Sequence, residues 1–211
     1  MKHSLSIALA AVALTGLAGL GACTRHVEPD AQVLGTAMQT YLAQRGDLCL
    51  AKTNWPIDLT QHEIDSGARN ALQLPVLERL GLVDSSVAEI DVDDEGTLHH
   101  MKVRRYALTD AGRKFYLVRG GKQGAAAGDF CAAHLSLDRV VGWELRGSGA
   151  QRQAVVSYTY RVDVAPWTRD AEVQKVFPVV AGVIRGAGSA QLQQTFAFSD
   201  AGWVAVDLQG S

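Results

Sequence analysis

The first 22 residues decide how much of this 211-residue chain is free to fold. An uncharged, mostly apolar stretch runs from Leu5 to Ala22, and Lys2 is the only lysine or arginine before it. A positive start, an apolar middle and small residues at the end are the parts of an export signal that a signal peptidase recognises. Removing the signal leaves about 189 residues, enough for one ordinary domain or two small ones.

The stretch closes with Leu20-Gly21-Ala22, and Cys23 follows directly. This pattern resembles the lipobox of bacterial lipoproteins, in which a diacylglycerol thioether forms on the cysteine and the leader is cut just before it. The resemblance covers residues 1–23 and implies a signal peptide over residues 1–22, an acylated Cys23 and a polar tether over residues 23–32. The alternative is an uncleaved anchor, but a permanent span needs about 20 strongly apolar residues and glycine, serine and threonine dilute this stretch.

The resemblance also implies a location. Processed lipoproteins carry two or three acyl chains, which hold a protein stably on a bilayer, whereas one chain is marginal. An aspartate after the cysteine tends to keep family members at the inner membrane, so Thr24 implies the outer membrane, on its periplasmic or its surface face. The expected location is therefore the cell envelope, with the membrane as a partner through the N-terminal lipid.

With Cys23 acylated, two cysteines remain, Cys49 and Cys131. An even pair in an oxidising compartment is most simply a disulfide, and two unpaired thiols are the alternative. The chain has no Cys-x-x-Cys motif, which disfavours a catalytic thiol pair. The sequence therefore predicts a structural disulfide that ties the end of the first helix to the start of the second half.

Charge is spread unevenly along the chain. Residues 24–99 hold 5 Lys and Arg against 13 Asp and Glu, whereas residues 100–122 hold 7 against 1. Such asymmetry is typical of a surface for an anionic partner, here a phospholipid, a lipopolysaccharide or a cell-wall anion. A solvated basic face that balances the acidic first half is the alternative. The candidate anion-binding residues are Lys102, Arg104, Arg105, Arg113 and Lys114.

The expected fold class is α+β, with a helical subdomain that carries a β-hairpin, followed by an antiparallel sheet packed by one helix. Apolar spacing predicts a helix over residues 30–45 and a second one over residues 66–80, which Pro75 interrupts. Two strands joined by an acidic turn predict a hairpin over residues 86–108. These elements make up the expected subdomain over residues 33–119.

A glycine-rich loop at residues 119–129 is the best internal boundary. Beyond it lies the expected antiparallel α+β subdomain over residues 129–211. Its clearest strand is 155–164, in which apolar and polar side chains alternate. The other expected elements are a strand at 135–145, a helix at 168–185 that Pro178 bends, and a closing hairpin over 191–208.

Residues 76–115 run from a helix through the hairpin to Arg105-Tyr106-Ala107-Leu108-Thr109. This stretch resembles the recognition-helix and wing region of winged-helix transcription regulators. The resemblance implies that wing residues such as Lys102 and Arg104 would contact phosphates. The wing turn is acidic, however, and the export signal sends the chain away from DNA, so nucleic acid is not an expected partner.

Other motifs give no site. The acidic turn begins like a calcium loop at Asp91, Asp93 and Glu95, but Lys102 occupies the twelfth position, where an EF-hand needs a bidentate glutamate. The sequence has no zinc-ligand spacing and no Gly-x-Ser-x-Gly motif. We therefore expect no catalytic residue, metal or cofactor. Core packing is the favoured interpretation of the tryptophans, and a carbohydrate platform is the alternative; they are Trp55, Trp143, Trp167 and Trp203.

These features favour a lipid-anchored envelope protein with a non-catalytic binding or structural role. Its expected partner is an anionic envelope component or another envelope protein. One alternative is an envelope hydrolase with an unrecognised site, which would show a cleft with convergent titratable groups. Another is a carrier of a small apolar ligand, which would show a dry cavity between sheet and helix.

Overall fold

The computed structural model describes residues 29–94, 96–120 and 126–209. The expected signal peptide, Cys23 and most of the tether lie outside these described residues. The described chain is a mixture of helices and antiparallel strands. The helices are α1 (Ala31–Arg45), α2 (Gln61–Asp65), α3 (Arg69–Arg79), α4 (Asp110–Arg113), α5 (Ala171–Val176) and α6 (Pro178–Gly186). The strands are β1 (Asp47–Cys49), β2 (Ile57–Thr60), β3 (Val83–Asp94), β4 (Thr97–Leu108), β5 (Tyr116–Gly120), β6 (Ala126–Arg146), β7 (Gln153–Val164), β8 (Leu192–Ser199) and β9 (Gly202–Ala205).

The strands form two antiparallel sheets. The smaller sheet has the order β2-β4-β3, and the larger one has the order β1-β6-β7-β8-β9, with β5 paired to the start of β6. β6 organises the larger sheet, because its 21 residues pair with β5, β1 and β7 in turn. Register shifts between Leu137 and Arg139 and between Val140 and Gly142 are bulges, which bend this long strand.

Helix α1 begins and ends as its sequence predicts. The Asp30 carboxylate accepts a hydrogen bond from the Val33 N–H at 2.7 Å, which satisfies one of the unpaired donors at the start of the helix. The helix ends at Gly46, where a Cβ would overlap the carbonyl oxygens of Leu42 and Leu135. Because this position has no side chain, α1 leads straight into β1 beside β6.

The packing of α1 differs from the expected arrangement. We expected α1 to belong to a helical subdomain over residues 33–119, and we expected the helix at 168–185 to cover the sheet. The apolar stripe of α1 packs on the larger sheet, because Gly46 brings the helix end against β6. The expected helix region also contributes, because Val183 of α6 packs against the same core. The buried side chains of this core include Leu34, Met38, Leu42, Leu137, Val156, Phe196 and Trp203.

A second core joins the two halves of the chain. Phe130 is fully buried at its centre, with ring centroids 5.6 Å from Trp167 and 6.2 Å from Trp55 and Phe115. Leucines of α3 and apolar residues of α5 and α6 surround this cluster. The expected boundary at 119–129 includes the end of β5 and the start of β6, which pair with each other. The core around Phe130 therefore contains residues from both sides of that segment.

Proline divides the expected helix at 168–185. The chain forms a 3₁₀ turn at Pro166–Arg169, then α5, and then α6 with Pro178 at its first turn. Proline has no amide hydrogen to continue the bonding of α5, but it suits the start of a new helix. α5 packs beside α3, where Arg79 and Asp170 form an ion pair at 2.7 Å.

The expected hairpin is confirmed and is longer than its sequence pattern indicates. β3 pairs with β4 from Val83 opposite Leu108 to Asp94 opposite Thr97. In the turn, the Gly96 N–H donates to the Asp93 carboxylate at 2.8 Å.

No helix in the described part of the chain has the length and apolar character that crossing a bilayer requires.

Cys49 and Cys131 form the expected disulfide, which links β1 to β6 across a sequence separation of 82 residues. Closing a loop of this length reduces the entropy of the unfolded chain. Replacing both cysteines by alanine should therefore lower the free energy of unfolding by about 4.5 kcal/mol. Urea unfolding without reductant measures this value, with reduced wild type as the matched control. A loss below about 1 kcal/mol would contradict a structural role for the bond.

Candidate functional site

Two of the basic residues that the sequence singles out have partners. Arg105 donates to both carboxylate oxygens of Asp58, from Nε and from Nη2, each at 2.7 Å. These hydrogen bonds lower the pKa of the Asp58 carboxyl below its ordinary value. Arg113 donates to the Leu108 carbonyl at 2.7 Å and pairs with Asp110. Neighbouring groups therefore already engage both guanidinium groups.

The other three basic residues divide between two places. Lys102 and Arg104 line one shallow pocket of about 380 Å³ beside the apolar side chains of Ile64 and Val87. Val87 is 78 % exposed, and neither cation forms an ion pair among the described residues. We call these four residues the Lys102–Arg104 surface. Lys114 lines a different groove, so the structure brings together two of the five candidates.

The groove that Lys114 lines contains an aspartate–histidine pair that the sequence did not predict. Asp47 lies opposite His134 on β1 and β6, with Oδ1 at 2.7 Å from Nδ1. The Asp47 side chain is 10 % exposed, whereas that of His134 is 40 % exposed. The bond between a buried carboxylate and Nδ1 fixes the orientation of the ring, and Nε2 is the ring nitrogen that this bond does not use. The groove has a volume of about 450 Å³, and Phe115, Leu117, Cys131, Asp163, Val164 and Pro166 are also among its lining residues.

The pair can accept a proton from a bound water or ligand. Among the described residues that line the groove, no serine, threonine or tyrosine hydroxyl is present, and Cys131 is bonded to Cys49. The described lining of the groove therefore offers His134 no side-chain nucleophile to activate.

The most unusual buried group is Lys52, which is 3 % exposed. Its Nζ donates to the side-chain oxygen of Asn70 at 2.5 Å and to that of Gln73 at 3.0 Å, both on α3. The Gln73 amide in turn donates to the Val176 carbonyl at 2.8 Å. Lys52 therefore links the segment after β1, through α3, to the end of α5, and its two side-chain acceptors are neutral amides.

Burial and, to a smaller extent, the nearby positive charge of Arg69 together lower the pKa of Lys52 from 10.5 to about 8. Asp129 opposes this effect with its negative charge. The Asp129 carboxylate accepts hydrogen bonds from the backbone N–H groups of Ala51, Lys52 and Phe130, at 3.2, 2.8 and 2.7 Å. Asp129 thus holds the backbone at Lys52.

Gln73 also lines an apolar pocket of about 430 Å³. Arg69 and Gln73, from the first half of α3, supply its polar side chains. The remaining walls come from residues 48–51 and residues 176–180. Arg69 is exposed and forms no ion pair among the described residues. We call this site the Arg69 pocket.

Core packing is confirmed for three of the four tryptophans. Trp55 and Trp167 belong to the core around Phe130, and Trp203 packs on Phe198 with ring centroids 5.4 Å apart. Trp143 differs, because it is 39 % exposed near the end of β6. The described tryptophans therefore do not form a shared platform for a sugar ring.

Among the described residues, no three histidine, cysteine, aspartate or glutamate side chains converge as metal ligands would. Comparison of the chain with known protein families, with curated proteins and with solved structures finds no match. The groove, the Arg69 pocket and the Lys102–Arg104 surface are therefore the features from which function is inferred.

The buried position of Lys52 predicts a distinctive pH dependence of stability. Its folded pKa of about 8 lies below its ordinary value of 10.5, so the unfolded chain holds the proton more strongly. Burial of the charged amine therefore destabilises the fold below pH 8, and this penalty disappears as the pH rises to about 10.5. Between these limits wild type should gain up to about 3 kcal/mol relative to Lys52→Met.

Urea unfolding from pH 7 to pH 10.5 measures this difference. Lys175→Met is the matched control, because Lys175 is exposed and pairs with Glu172. This control should follow the wild-type pH dependence. Parallel curves for wild type and Lys52→Met would show that the amine titrates equally in the folded and unfolded chains.

Proposed function

We propose that this chain is a lipid-anchored protein of the bacterial cell envelope, with a non-catalytic binding role. The leader and Cys23 support the anchor, and the Cys49–Cys131 disulfide supports folding in an oxidising compartment. In this proposal the leader directs export, acylation of Cys23 holds the mature chain on the membrane, and the outer membrane is the destination that Thr24 favours.

The anchor would keep the folded part close to the lipid surface. Five residues lie between Cys23 and Pro29, the first residue that the structure describes, so six Cα-to-Cα steps join the two. A fully extended segment of that length spans about 20 Å. Pro29 would therefore lie within about 20 Å of the acylated cysteine, and ligands at the membrane surface would be within reach of the folded part.

The Lys102–Arg104 surface is the observation that supports an anionic partner. Its two cations have no ion-pair partner among the described residues, and exposed apolar side chains flank them. Such a surface combines attraction for negative charge with apolar contact area. The partner that fits this chemistry is an anionic phospholipid surface, which would reinforce the hold of the N-terminal lipid.

The anchor is tested by metabolic labelling with radioactive palmitate. Wild type should carry the label, and mass spectrometry should find a mature chain that begins at Cys23. Cys23→Ser should lose both the label and the cleavage, because the serine hydroxyl cannot form the thioether. Cys49→Ala with Cys131→Ala is the matched control and should keep the label. A mature wild-type chain that begins elsewhere would refute the anchor.

The anionic partner is tested with the anchored protein in zwitterionic nanodiscs. The nanodiscs that carry the protein are mixed with vesicles that contain phosphatidylglycerol. Co-sedimentation of the protein with the vesicles measures the affinity. Replacing Lys102 and Arg104 by glutamine should weaken binding about thirtyfold, because each cation near an anionic surface contributes about 1 kcal/mol. Replacing Lys175 and Arg185 removes the same charge elsewhere and should have a smaller effect. Equal losses in the two variants would leave net charge as the cause and refute the assigned surface.

A further inference from the structure

The Arg69 pocket has positive charge at one end. Arg69 is an exposed lining residue, and Lys52 is hydrogen-bonded to Gln73, which also lines the pocket. Asp129 is the carboxylate that opposes the charge of Lys52, and it already accepts hydrogen bonds from backbone N–H groups. An anion that entered the pocket would therefore meet Arg69 without having to displace an acidic side chain of the described chain.

The rest of the pocket is apolar. Leu48 and Leu50 line it from the segment around β1, and Phe177, Val179 and Val180 line it from the α5–α6 junction. Val179 is 72 % exposed, although it follows Pro178 at the start of α6. An alkyl chain between these walls would remove such surface from water, which is the main source of affinity for apolar ligands.

We propose that the Arg69 pocket binds a free fatty acid, with its carboxylate on Arg69 and its alkyl chain between β1 and the α5–α6 junction. The forked guanidinium of arginine matches a carboxylate in two parallel hydrogen bonds. A single rim cation suits one negative charge better than a phosphate monoester, which carries between one and two. A volume of about 430 Å³ is suitable for one small molecule.

Binding at Arg69 is coupled to the protonation of Lys52. The charged groups that face the amine are Arg69 from α3 and Asp129 from β6, and Asn70 and Gln73 face it as neutral amides. A carboxylate on Arg69 cancels repulsion between the two cations, so the complex favours the charged amine. By linkage, the charged amine favours the complex, and affinity falls as the pH rises through 8.

Calorimetry with octanoate and decanoate tests the assigned ligand. The full chain is reconstituted in phospholipid nanodiscs, and empty nanodiscs give the blank. Decanoate should bind about fifteenfold more tightly than octanoate, because each buried methylene strengthens binding about fourfold. Decanol and lysophosphatidylcholine, which lack a free carboxylate, should each bind at least about tenfold more weakly than decanoate. Equal affinity for decanol and decanoate, or for octanoate and decanoate, would overturn the proposal.

Variants test the position of the ligand. Arg69→Gln should weaken decanoate binding at least about tenfold. Arg185→Gln is the matched control, because Arg185 is exposed at the opposite end of α6, and it should bind as wild type does. Circular dichroism confirms that both variants fold. Equal affinities of wild type and Arg69→Gln would overturn the placement of the carboxylate.

The pH dependence provides an independent readout. Wild-type affinity should fall at least about fivefold between pH 7 and pH 9.5, whereas Lys52→Met should bind with little change over this range. A pH-independent wild type would overturn the coupling. The variant with glutamine at Lys102 and Arg104 should bind decanoate as wild type does. A loss of decanoate binding in that variant would assign the ligand to the other surface, so the two proposals fail separately.

Discussion

The pairing of the three-residue strand β1 with β6 is the constraint on which the other features depend. It joins the two cysteines, sets Asp47 against His134 and places Leu48 against the aromatic core. The chain that leaves β1 is fixed by Asp129, which accepts the Lys52 amide hydrogen. The same short segment therefore supplies one wall of the His134 groove and one wall of the Arg69 pocket.

The sequence predicts those parts of the fold that depend on neighbouring residues. Asp30 reaches an amide three residues away, Asp93 accepts from an amide in its own turn, and Pro178 breaks its helix where only a bend was expected. The expected interruption at Pro75 is wrong, because α3 continues through that residue from Arg69 to Arg79. These effects act within a few residues, so pattern and spacing are enough to find them. The β3–β4 hairpin belongs to the same group, because its strands are joined by two residues.

Contacts between distant parts of the chain could not be predicted in the same way. β1 has too few residues to show alternation, and 87 residues separate Asp47 from His134. A strictly regular antiparallel ladder through Cys49 and Cys131 would place Asp47 opposite Ala133. A shift of one residue beside Cys49 brings His134 there instead, and bulges of this kind have no reliable sequence signal. The burial of Lys52 was missed for a similar reason, since its acceptors lie on α3.

The buried lysine and the Arg69 pocket are parts of one electrostatic arrangement. A buried amine bonded only to amides is destabilising when charged, because no carboxylate accepts its hydrogen bonds in place of water. A carboxylate on Arg69 would bring that negative charge close to Lys52 without exposing the amine. A ligand that binds only the folded chain also adds stability in proportion to the logarithm of its concentration. The occupied protein should therefore be more stable than the empty one, and most clearly so at neutral pH, where Lys52 is charged.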